Sequence, residues 1–251
     1  MFRMVSHVWQ LVSDTPLPLA TFGVMDRVGI EQALSDAEES LLRDSEVDLG
    51  KLGFWKAVNA VKQQPGLIAE FGDRIGRIDR EAFERWALLK IPAGAGTVLM
   101  IIGTLVGLFL IGWAYQLSFF RQALALLMGT AILLVTTHGP AHLVVGSAQG
   151  MKFTHWFIAS LRRPTPGVKV DYGTYLKVPA AKRAWMHASG AITTKLIPFV
   201  ALGAGWAMKA PGWAMATLGV VAIGQIITDI AWSTKAADWM KFRREMSLSK
   251  S

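Results

Sequence analysis

No cysteine occurs in the 251 residues. That absence excludes disulfides, thiolate metal sites and cysteine nucleophiles. Acidic residues become scarce after Lys90, where only Asp171, Asp229, Asp238 and Glu245 face a large excess of Lys and Arg. Up to Lys90 the acids slightly outnumber the bases, so the formal net charge of +8 belongs to the later part of the chain. There the bases cluster beside apolar runs rather than along an aromatic-studded polar face. The expected partner is therefore a lipid bilayer, not nucleic acid. Internal repeats and low-complexity tracts are missing too. Met1–Trp9 is too short and too polar to read as a signal peptide.

Long uncharged runs, by contrast, are plentiful, and the hydrophobic content of 52% points away from an ordinary soluble domain. Residues 91–115 carry no charge over about 25 positions, enough for a helix to cross roughly 30 Å of hydrocarbon. Residues 122–149 are also uncharged. Residues 184–208 contain only Lys195, and 213–234 contain Asp229. The chain thus reads as an all-α integral membrane protein with about four transmembrane helices, occupying 91–251. Residues 1–90 precede it as an amphipathic helical region. In that region Pro65 suits a first helical turn, and Phe71, Ile75, Ile78, Ala82 and Trp86 recur at helical spacing. Shorter amphipathic helices are predicted over 29–44 and 50–64, with Pro16, Pro18 and residues 44–48 as connectors. The region is read as a helical cap on the membrane face or on the bundle.

The basic residues orient these spans. The first connection offers only Arg121 and the third only Lys209, whereas 150–183 and the tail after 234 are rich in Lys and Arg. By the positive-inside rule, both termini and the 150–183 loop are expected on the cytoplasmic side. That arrangement requires an even number of spans, in agreement with four.

Two histidines then stand out. His138 and His142 lie four positions apart near the cytoplasmic end of the second span. Buried imidazoles in a membrane demand partners, and an i, i+4 pair presents both to one ion. The alternative is that they donate to backbone carbonyls or line a polar cavity. Pro140 between them deletes one helical hydrogen bond. His187, His155, Asp229 and Asp238 fall at a similar depth as further candidate ligands. Zinc is the first guess for a nitrogen-rich site with one carboxylate and no thiols. Lys195 must pair or snorkel, and helical side chains lean toward the N-terminus, which aims it at Asp229 on the antiparallel neighbour. A Lys195–Asp229 ion pair is predicted.

With these residues in place, the chain resembles the site-2 protease family of intramembrane zinc metalloproteases over approximately residues 95–245. His138-Gly139-Pro140-Ala141-His142 stands where that family has its two-histidine motif. Residues 188–194 look like its small-residue segment, and Asp238 looks like its third metal ligand. The resemblance implies zinc held by His138, His142 and Asp238. It also suggests that the extended stretch 169–177 could hold a substrate strand, which otherwise reads as a basic interfacial loop. The chain departs from the family pattern at the general base, a glutamate there and Gly139 here. Ala191 and Thr194 replace a proline and an asparagine, and Trp239 replaces a glycine. Glycine cannot take a proton from a metal-bound water. Asp171 is the only spare acid in the 150–183 loop.

Two readings follow. One is a non-proteolytic scaffold or accessory subunit of a membrane complex, with other membrane proteins as partners and a metal site retained. The other is an active intramembrane zinc metalloprotease cleaving membrane-proximal peptides. A small transporter using Lys195 and Asp229 is a third possibility, although four spans without a repeat argue against it.

Overall fold

The computed structural model describes residues 25–43, 47–159, 166–231 and 237–249. Met1–Trp9, Pro16 and Pro18 lie outside them. Three helices form the N-terminal region: α1 (Arg27–Arg43), α2 (Phe54–Lys62) and α3 (Pro65–Trp86). Pro65 occupies the first turn of α3, where a missing N–H costs nothing. Phe71, Ile75, Ile78 and Ala82 form its buried stripe. Trp86 leaves that stripe, being 45% exposed and edge-on to Phe83 and Phe157. The apolar core of this region runs on into Met151, Tyr175, Leu176, Val178 and Met186. The change of composition at Lys90 therefore coincides with no break in packing.

A small antiparallel sheet comes next. Its strands are β1 (Leu89–Pro92), β2 (Phe153–Ile158) and β3 (Gly167–Val170), with β2 in the centre. Ile91 lies opposite Trp156, while His155 lies opposite both Pro92 and Lys169. The stretch 169–177 is extended only at its start, as the end of an edge strand. Asp171 then accepts the Thr174 N–H at 2.9 Å and caps the short helix α6 (Tyr172–Lys177).

Four helices are long and apolar enough to cross a bilayer: α4 (Ala93–Ala114), α5 (Phe119–Ala148), α7 (Ala180–Ala207) and α8 (Gly212–Ala231). Nine helices and this one sheet, among the described residues, make the chain an all-α membrane protein. The first span begins at Ala93 because Ile91 and Pro92 belong to β1. α5 continues unbroken through Pro140. Residues 232–234, predicted to end the fourth span, lie outside the described residues.

Small residues set how closely the spans approach. A Cβ at Gly129 would sit 2.7 Å from the Gly107 carbonyl oxygen, so the backbones of α4 and α5 touch. Beside this seam Thr104 donates to Thr136 Oγ1 at 3.1 Å. Such close approach drives helix pairing in lipid, where burying apolar side chains gains nothing. The last helix, α9 (Asp238–Leu248), packs on α7.

Candidate metal site

α5 carries His138 and His142 on one face, and the first residue of α9 brings Asp238 to them. The Asp238 Oδ2 atom lies 3.0 Å from His138 Nε2 and 3.1 Å from His142 Nε2, and the two Nε2 atoms are 3.2 Å apart. These spacings approach the edge of about 3.3 Å that follows from tetrahedral bonds near 2.0–2.1 Å. The protonation pattern sharpens the point. His142 Nδ1 lies 2.6 Å from the Met186 carbonyl oxygen. A carbonyl only accepts, so Nδ1 carries a proton, and in the neutral ring Nε2 is left as a lone pair. That lone pair faces a carboxylate oxygen, an arrangement that calls for a shared cation. The three residues form a group able to hold a metal ion.

The surroundings fit that role. Lys241 donates to the other carboxylate oxygen, Oδ1, at 3.1 Å and orients Asp238. Gly190 supplies the space: a Cβ there would lie 2.3 Å from His142 Nε2 and 2.9 Å from His138 Cε1. Gly190→Ala should therefore weaken metal binding by about tenfold or more, as lost support of a ligand commonly does. Titration with a chromophoric chelator checks this, and an unchanged affinity would show that the rings can yield. His138 is the more open ligand. With Asp238, Lys195, Asp229, Thr194 and Gln225 it lines a cavity of about 250 Å³.

The other candidates are engaged elsewhere. Asp229 pairs with Lys195 across α7 and α8, as predicted, and Lys195 also donates to the Ala191 carbonyl at 3.3 Å. His187 Nε2 is 3.0 Å from the Tyr175 hydroxyl, outside the ligand group. His155 projects from the opposite face of β2 to Trp156 and leans on Phe83, outside that group as well. Asp171 caps α6 and receives Arg80 Nη2 at 2.6 Å, so it supplies no base to the histidines.

Gly139 has a neighbour that the sequence did not reveal. A Cβ at this position would lie 2.4 Å from the Trp156 indole. Trp156 is 3% exposed and its indole N–H donates to Thr97 Oγ1 at 3.1 Å. Its other edge covers Gly96, where a Cβ would come within 2.3 Å of the ring. One locked indole thus fills the side of α5 where a base would project.

A second buried polar cluster was also missed. Glu245 of α9 is fully buried and receives Lys62 Nζ at 2.6 Å, Arg183 Nε at 2.7 Å and the Tyr175 hydroxyl at 3.0 Å. Burial alone would raise Glu245, but the converging Lys62 and Arg183 hold it down at about 2. Burial in turn pulls Lys62 down to about 8 against the pull of Glu245, so both stay charged at neutral pH. Scarcity of acid after Lys90 was the available signal, since each of only four carboxylates in a basic segment has cations to meet.

Set against protein-family models, curated proteins and solved structures, the chain matches none. Fold and site define its class: an all-α membrane protein whose bundle and C-terminal helix gather two imidazoles and a carboxylate into one group.

Proposed function

We propose that the chain is a non-proteolytic, site-2-protease-like membrane protein, serving as a scaffold or accessory subunit of a membrane complex, with zinc held by His138, His142 and Asp238. The observation that carries this reading is the contact between Gly139 and Trp156. Hydrolysis at such a site needs a base within reach of the metal-bound water. The position next to the first histidine lacks that side chain, and Trp156 denies it the room. The ligands are nevertheless kept, oriented by Met186 and Lys241. Retained ligands without a base favour structure over turnover. Two nitrogens, one oxygen and no thiol suit zinc. Bound there, it would tie α5 to α9 through three protein ligands.

Elemental analysis tests the metal and co-purification tests the partnership. Wild-type protein in detergent is expected to carry about one zinc per chain, and His142→Ala close to none, because losing one of three ligands typically abolishes a structural site. Unchanged stoichiometry in the variant would end the metal claim. Cleavage of a membrane-proximal peptide by the wild type, lost in His142→Ala, would favour the active metalloprotease instead.

A further inference from the structure

The C-terminal helix α9 is held to the rest of the protein by two acids. Asp238 and Glu245 are seven residues apart, two helical turns, which places them on one face about 10 Å from each other along the axis. Asp238 meets the histidines of α5. Glu245, the one buried residue among those of α9, meets Lys62 at the end of α2 and Arg183 in the first turn of α7. The metal group and the N-terminal region thus grip opposite ends of the same short helix. A second thread joins them: the Tyr175 hydroxyl that donates to Glu245 also lies 3.0 Å from His187, which follows Met186, the acceptor of His142 Nδ1.

We infer that Glu245 is a positioning residue for the metal site, and that the Lys62–Glu245 contact couples seating of the N-terminal region to metal affinity. The inference rests on the metal reading proposed above. α9 makes its main contact with α7, where Phe242 meets Trp185 edge-on, and its one fully buried side chain is Glu245. The Phe242–Trp185 contact holds the middle of the helix while the two acids fix its ends, so loosening the Glu245 end lets the helix tilt and carries Asp238 away from the histidines. Linkage makes the effect reciprocal: whatever Lys62 contributes to metal binding, bound metal must return to the docking of α2.

Lys62→Met tests this while leaving the Arg183–Glu245 pair intact. Zinc affinity should fall about tenfold, within the range typical of coupled sites. In wild type, zinc should slow amide exchange both in α9 and in α2, far from the ligands. In Lys62→Met the slowing at α2 should vanish while that at α9 persists, and Lys62→Arg should restore both readouts. Tyr175→Phe, which removes one hydroxyl only, should show a smaller loss of about threefold and serves if Lys62→Met does not fold. Zinc affinity unchanged within twofold in these variants, or zinc protection confined to α9 in wild type, would overturn the coupling. Failure of the wild type to bind zinc at all would instead strike the metal reading itself.

Discussion

Gly139→Glu is expected to fail as a repair. In a chain lacking only its base, adding the glutamate would restore peptide cleavage. Here the first atom of the new side chain would already lie 2.4 Å from an indole that is buried and hydrogen-bonded to Thr97. Forcing a larger group into a filled interior costs about 1–3 kcal/mol, and a buried carboxylate adds to that. The single variant should therefore melt at a lower temperature and remain inactive. Trp156→Ala removes the obstacle but by itself costs about 3–5 kcal/mol as a buried indole lost, so the double variant should be no more stable than the single, with a total loss smaller than the sum of the two separate ones. Cleavage by the single variant at wild-type stability would show that the ring gives way, and the non-proteolytic reading would lose its main support.

The second large effect concerns Glu245→Gln. Removing one partner of a buried ionic cluster leaves cations without compensation and costs about 3–5 kcal/mol. Here Lys62 and Arg183 would both be left. The effect depends on pH in a defined direction. Because the folded-state value of Glu245 lies near 2, below its ordinary 4.5, its contribution is complete above 4.5 and drains away as pH falls toward 2. The shift corresponds to about 3 kcal/mol. Thermal unfolding in detergent between pH 7 and pH 2 should show wild type and variant converging at the acid end. A constant gap across that range would mean that lost packing, not charge, explains the variant.

Much of the fold could be read from hydropathy because four uncharged or singly charged runs have the length a bilayer demands. The Lys195–Asp229 pair was equally accessible, since an ammonium inside a membrane has few ways to be satisfied and only one acid lay in the direction it points. Helical spacing paired His138 with His142, while Asp238 as the third member rested on the family resemblance and on Asp229 being taken up by Lys195. His187 and His155 stand near the same depth but turn to Tyr175 and Phe83, a matter of rotation about a helix and of strand alternation that spacing alone does not decide. What stayed hidden depends on contacts remote in sequence. Lys62 and Glu245 are 183 positions apart, and neither carries a local pattern that would join them. Trp156 lies in a strand that pairs with residues 89–92; the alternation over 169–177 pointed to an edge strand, but no pattern marked 89–92 or 153–158 as the strands beside it. Gly139 could be seen as a missing base, but not as the space reserved for a ring.

The contact between Gly107 and Gly129 bears on how the protein is assembled in the bilayer. Main chain meets main chain there, so α4 and α5 can join without freezing long side chains and without help from any later segment. The first two spans accordingly have a contact of their own on which to pair as a hairpin, whereas the imidazoles of α5 meet their partners only on α7 and α9. Completing the ligand group therefore waits on the later helices, which makes it a marker of a fully closed bundle.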